Sequence, residues 1–145
     1  MKQYLIGQPV SAQCEPIGRA TRAYVGLDLE AGRLVFIKDQ WRANTLGTHP
    51  EVETYCRLKA NNVPCVASCL GGGDVAFPDR HALQQTVTHH YLPSEVGDCE
   101  RIHSRIILKE IGRPLETYVH SGELITVTYH ALLGIHLDNS RVSVR

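Results

Sequence analysis

Lys38 closes the segment Leu34-Val35-Phe36-Ile37-Lys38-Asp39, where four apolar residues run straight into an ammonium group. A continuous apolar run bounded by turn residues predicts a strand buried on both faces. Desolvating a charge costs several kcal/mol, so a lysine at the end of such a strand calls for an anion. The nearest carboxylates downstream with regular spacing are Glu51 and Glu53. Glu51, Tyr55 and Leu58 share one face of a helix at i, i+4, i+7, the side that packs inward. Glu53 stands four residues before Arg57, the favoured order for a surface ion pair. Glu51 is therefore the better counter-ion for Lys38. A competing use is a capping box, with Thr48 as N-cap and Glu51 reaching back to it. Spacing alone leaves both open.

Other reactive side chains make weaker patterns. Cys65-x3-Cys69 and Cys99-x3-His103, with His89 and His90 between them, match no familiar zinc spacing. Five cysteines without a CxxC pair do not make a disulfide framework. Ordinary thiols and loop histidines are the expectation, rather than a metal centre or a His89–His90 base pair.

These residues need elements to hold them. Tyr4–Ile6 has weak strand character between breakers. Residues 17–38 predict strand, turn and strand, with the turn at 28–33 and Gly32 as its positive-φ residue. Residues 39–47 are polar and irregular around the single Trp41. A helix is expected from Thr48 to about Lys59, with Pro50 tolerated in its first turn. Cys65–Leu70 predicts a short strand ended by Gly71-Gly72-Gly73. Residues 75–100 carry no sustained period and predict a long loop or insertion. Arg105–Ile111 is a strand broken by Gly112-Arg113-Pro114. Leu124, Val127, Ala131 and Ile135 share a helical face, which predicts a helix over 121–136 with Ser121 as N-cap and a polar tail beyond, strand being the alternative that the Thr and Val content offers.

Composition excludes several classes. The 145 residues suit one modest domain. Formal net charge is zero, which argues against a general nucleic-acid or anionic-membrane binder. With 11 arginines and only 4 lysines, Lys38 is one of few. No stretch approaches a membrane span or a signal peptide. The expectation is an intracellular protein, cytoplasmic or nuclear.

Taken in order, the phrases resemble a protein-kinase amino-terminal lobe. Gly18-Arg19-Ala20-Thr21-Arg22-Ala23-Tyr24-Val25 follows the Gly-rich frame G-x-G-x-x-G-x-V, with alanine at the second and third glycine positions. Val35-Phe36-Ile37-Lys38 follows V-A-I-K, and Glu51–Leu58 follows the helix that carries the lysine's glutamate. The wording is closer still to the fungal-type protein-kinase-like family. Its counterparts here are Gly18-Arg19-Ala20-Thr21, Lys38-Asp39-Gln40-Trp41-Arg42, Val63-Pro64, Arg101-Ile102-His103-Ser104-Arg105, Gly112-Arg113-Pro114-Leu115 and Gly122-Glu123-Leu124. The resemblance implies an α+β fold: an antiparallel sheet with its helix over residues 1–111, then a hinge and the first carboxy-lobe helices over 112–145. It implies ATP, with Mg only alongside it. Gly18, Ala20 and Ala23 would border the phosphates, Lys38 would hold them, and Glu51 would position Lys38. Val25 would cover the adenine, and the backbone of Glu110, Ile111 and Gly112 would bond it, with Leu108 and Lys109 near the back. The H-R-D-x-x-x-x-N and D-F-G phrases of a Ser/Thr-type kinase are absent from these residues. The expectation is thus a truncated kinase domain without phosphoryl transfer of its own, or else a pseudokinase-like interaction module. A bare apolar face on helix 122–136 would then invite a protein partner or self-association.

Overall fold

A computed structural model describes residues 2–12, 18–87, 90–91 and 99–142; of residues 136–142 it describes the helical backbone alone. The fold is α+β. Strands β1 (Tyr4–Ile6), β2 (Ser11–Ala12), β3 (Arg22–Asp28) and β4 (Arg33–Ala43) precede helix α1 (Glu51–Ala60). Strands β5 (Cys69–Asp74) and β6 (Arg101–Leu108) follow, then helix α2 (Ser121–Val142). All pairings are antiparallel, in the order β1-β3-β4-β6-β5, with β2 also on β3.

The β3–β4 hairpin forms as expected. Gly32 takes φ +61° in its turn, and Asp28 accepts the Glu30 and Ala31 amides at 3.0 Å each. Side chains alternate between the two sheet faces. Val35, Ile37 and Ile107 are buried on one face, packed with Tyr4, Tyr24 and Leu70. Lys38, Gln40 and Arg42 lie on the other, opposite Ile106, Ser104 and Ile102 of β6. The expected burial on both faces does not extend along the whole run. Val35 is fully buried, but its neighbour Leu34, on the opposite sheet face, is 57% exposed.

Several boundaries differ from expectation. The segment after Lys38 is strand rather than irregular chain, because β6 begins at Arg101 and pairs with it as far as Ala43. For the same reason β6 spans 101–108 and not 105–111. Between Cys65 and Leu70 only the last two residues are strand, and the three glycines continue it instead of ending it. Gly72 lies so close to β6 that an added Cβ would sit 2.4 Å from the Arg105 carbonyl oxygen. Poor strand propensity gives way there to a backbone approach that only glycine permits.

Residues 75–87 are not structureless. Ala76 bridges Leu83, and Gln85 bridges Ile102, so this stretch lies along the edge of β6. His89 lies outside the described residues, so the His89–His90 pair cannot be placed.

Helix α2 continues to Val142, beyond the expected end. His120 caps it: the Glu123 amide donates to His120 Nδ1 at 3.2 Å, and Glu123 reaches back to the Val119 amide at 3.0 Å. Ser121 is the first helical residue rather than the cap. Ile125, Tyr129, Leu132 and Ile135 are exposed, Ile125 at 69%. Among the described residues no helix is long and apolar enough to cross a membrane.

Candidate functional site

Strand alternation places Lys38 on the face that α1 approaches, 13 residues before Glu51. Lys38 Nζ donates to both Glu51 carboxylate oxygens, at 3.0 and 2.8 Å. The capping-box alternative fails. Pro50 occupies the N-cap position of α1, with extended backbone and no side-chain cap bond, so Glu51 is the first helical residue. A residue before proline is biased away from helix, which keeps His49 outside. Thr48 Oγ1 bonds the Ala43 and Thr45 carbonyls instead. Glu53 turns back to His49, 3.3 Å away, rather than forward to Arg57.

Glu51 has a second donor that its spacing did not reveal. Gln40 Nε2 donates to Glu51 Oε2 at 2.9 Å. Gln40 is buried, and its Oε1 has no hydrogen-bond partner. Two residues further on, Arg42 makes a forked pair with Asp74 at 2.9 and 2.6 Å. Period-two alternation from Lys38 is the signal that could have found Gln40 and Arg42.

A cleft of about 340 Å³ opens beside the pair, its lining including Arg19, Lys38, Gln40, Arg42, Glu51 and Arg101. Lys38 and Glu51 are partly exposed to it, at 29% and 26% of their side chains. Of the four cationic side chains in that lining, Lys38 is paired with Glu51 and Arg42 with Asp74. Among the described residues no group of His, Cys, Asp and Glu could hold a metal ion. A second hollow of about 380 Å³ lies between the end of α1 and β5, bordered by Tyr55, Leu58, Val66 and Cys69. Burial pushes the Tyr55 hydroxyl and the Cys69 thiol up, so both stay protonated at neutral pH and offer no nucleophile there.

The other expected site residues fall into three places. Gly18 and Ala20 lie in the loop before β3, with φ +115° and +42°. A left-handed alanine costs about 1 kcal/mol, so Ala20 holds a backbone shape that glycine adopts more readily. That loop is tied to β4 by the Trp41 amide, which donates to the Arg19 carbonyl at 2.7 Å. Ala23 and Val25 are in β3, opposite Lys38 and Phe36, and so on the Lys38 face. Glu110, Ile111 and Gly112 lie beyond the end of β6, not in it. The Glu110 carboxylate accepts the Ser68 amide and hydroxyl at 2.6 and 2.9 Å, and the Ser68 amide foremost holds it below its usual range.

The opposite face carries a cluster that spacing missed. Asp39 accepts from Arg105 Nε and Nη2 at 2.6 and 2.7 Å, and its Oδ2 lies 3.5 Å from His103 Nε2. His103 stacks on Trp41 with ring centroids 5.2 Å apart, and its Nδ1 is 2.8 Å from Gln84 Oε1. Two stretches distant in sequence, 39–43 and 101–105, thus pair residue by residue across β4 and β6.

Compared with family models, with curated proteins and with solved structures, the chain matches none. The functional reading therefore rests on the site itself.

Proposed function

We propose that the chain is a kinase-type amino-terminal lobe, of the fungal-type protein-kinase-like kind. On this reading it binds the phosphate chain of ATP weakly at Lys38 and transfers no phosphate by itself. One observation carries the reading: a strand lysine held at 2.8 Å by a glutamate from the helix that follows. That is the ion pair kinase chemistry requires for positioning the α- and β-phosphates. The antiparallel sheet and the left-handed Gly18–Ala20 loop before β3 support it. The backbone after β6, at Glu110 to Gly112, is then where a base would be bonded. Mg would enter with ATP. The absence of H-R-D and D-F-G phrases leaves this chain without a base for the hydroxyl and without metal-holding carboxylates.

Calorimetry with Mg-ATP tests the reading. The wild-type chain is expected to give weak heat that Lys38→Ala abolishes, and Glu51→Gln to weaken binding by less than Lys38→Ala. Labelled ATP is expected to transfer no phosphate to any protein substrate. Equal heat from wild type and Lys38→Ala, or no heat at all, would end this assignment. So would phosphate transfer by wild type that Lys38→Ala lacks.

A second reading, an interaction module, is favoured by α2, whose Ile125, Tyr129 and Leu132 are exposed at i, i+4, i+7 spacing. Under that reading sedimentation shows a self-associated chain, and Ile125→Glu with Leu132→Glu returns it to monomer. A wild-type monomer at all concentrations removes self-association.

A further inference from the structure

Glu51 has two holders of different kinds. Lys38 and Gln40 stand two residues apart on one face of β4, and both donate to Glu51 Oε2, at 2.8 and 2.9 Å. Lys38 is the accessible holder, with 29% of its side chain exposed beside the cleft. An ammonium has three donors, of which Glu51 takes two. Gln40 is the enclosed holder, only 7% exposed. An anion entering the cleft therefore competes with Glu51 for the ammonium, while the amide stays enclosed.

The amide sits there at a cost. Its Oε1 finds no hydrogen-bond partner among the described residues. A buried polar atom left unpaired is unfavourable, and an apolar side chain of the same shape carries no such penalty. Against that cost stands a hold on α1, and α1 has few others. No residue of the helix is buried, and Pro50 at its N-cap makes no side-chain bond. A partly buried carboxylate that loses its cation is strongly destabilised where nothing else bonds it. A neutral donor that stays behind removes that penalty, and the helix N-terminus also favours the charge at Glu51.

We propose that Gln40 is a positioning residue: it keeps Glu51, and with it the first turn of α1, on the sheet while Lys38 turns its ammonium to an anion in the cleft. This rests on the reading of Lys38 as a phosphate ligand and says how the site stays assembled when that ligand is bound.

The test is hydrogen exchange over Glu51–Ala60 on the full chain, with and without saturating Mg-ATP. Without ligand, Lys38→Ala and Gln40→Leu are each expected to stay within about threefold of wild type. The double variant is expected to exchange about tenfold faster over α1 alone, with β3 and β4 unchanged. Adding Mg-ATP is expected to leave wild type unaltered and to speed α1 in Gln40→Leu to the rate of the double variant. A merely structural Gln40 predicts otherwise: faster exchange throughout the sheet and a lower urea midpoint, with or without Mg-ATP. Gln40→Leu is expected to keep the wild-type midpoint or raise it, since the orphaned oxygen goes with the amide. Gln40→Met, of equal length, is expected to act alike and covers a Gln40→Leu chain that does not fold. Lys38→Ala alone matching the double variant overturns the proposal. So does a Gln40→Leu chain that binds Mg-ATP with α1 still protected. If wild type gives no calorimetric heat with Mg-ATP, the Lys38 reading itself fails and takes this proposal with it.

Discussion

Gly72→Ala is expected to lower the stability of the chain by about 3 kcal/mol or more, a large share of the roughly 5–15 kcal/mol that holds a domain of this kind together. The alanine Cβ would sit 2.4 Å from the Arg105 carbonyl oxygen and 2.9 Å from the Ile106 Cα. Both are backbone atoms of β6, so no side-chain rotation relieves the overlap. The strands must separate, and the ladder from Cys69 to Asp74 weakens with them. Ile106 lies opposite Lys38, and Asp74 holds Arg42, so the disturbance reaches the site. Urea unfolding reads the effect as a fall in midpoint. Gly7→Ala is the control, because nothing lies within 4 Å of its added Cβ, and it is expected to change stability by no more than about 0.5 kcal/mol. A Gly72→Ala midpoint equal to that of Gly7→Ala would show that β5 does not run against β6 in this register.

The second large effect concerns acid. Burial pushes the Asp39 carboxyl up, but the Arg105 and His103 hydrogen bonds and charges outweigh it and hold the group down at about 2, against an ordinary 3.8. The folded value is depressed, so the unfolded chain binds more protons between these two values. Stability from this carboxylate is fully present above about pH 4 and is lost as pH falls toward 2. The full shift corresponds to about 2 kcal/mol. The Asp39 side chain is only 16% exposed, but Arg105 is 39% exposed, and solvent screening there reduces the measured contribution to about 1–2 kcal/mol. Asp39→Asn is expected to lose that much at pH 7 and nothing further from this position between pH 4 and 2. Other carboxylates titrate in both proteins, so the difference between wild type and variant at each pH is the quantity to compare. A difference that stays constant from pH 7 to pH 2 would show that Asp39 is not held charged by Arg105.

Much of the site was legible from spacing. The 28–33 turn and the lysine ending an apolar run follow from local chemistry that the chain carries wherever it is placed. The choice of Glu51 over Glu53 follows from helical period, since a residue at i shares a face with i+4 and i+7 and not with i+2. What spacing could not resolve was whether Glu51 capped its helix or met Lys38. That was decided when Pro50 took the N-cap position and β4 brought the ammonium within 2.8 Å.

The misjudged elements share one cause. Gln40, Trp41 and Arg42 have no strand periodicity of their own, and neither do Arg101 to Ser104 or the three glycines. Each becomes strand because a partner strand supplies the hydrogen bonds and the side-chain partners: the Arg105 charge for Asp39, the stacked His103 ring for Trp41, the Asp74 charge for Arg42. Such partners are 32 to 66 residues away in sequence, and no local window contains both members. By itself the sequence determined an α+β chain with one buried-strand lysine and one carboxylate on the right face of the next helix. Only the tertiary structure decided that Gln40 shares that carboxylate and that glycine is required at 72. Register across a sheet is set by long-range pairing, and register alone determines which side chains share a face with Lys38.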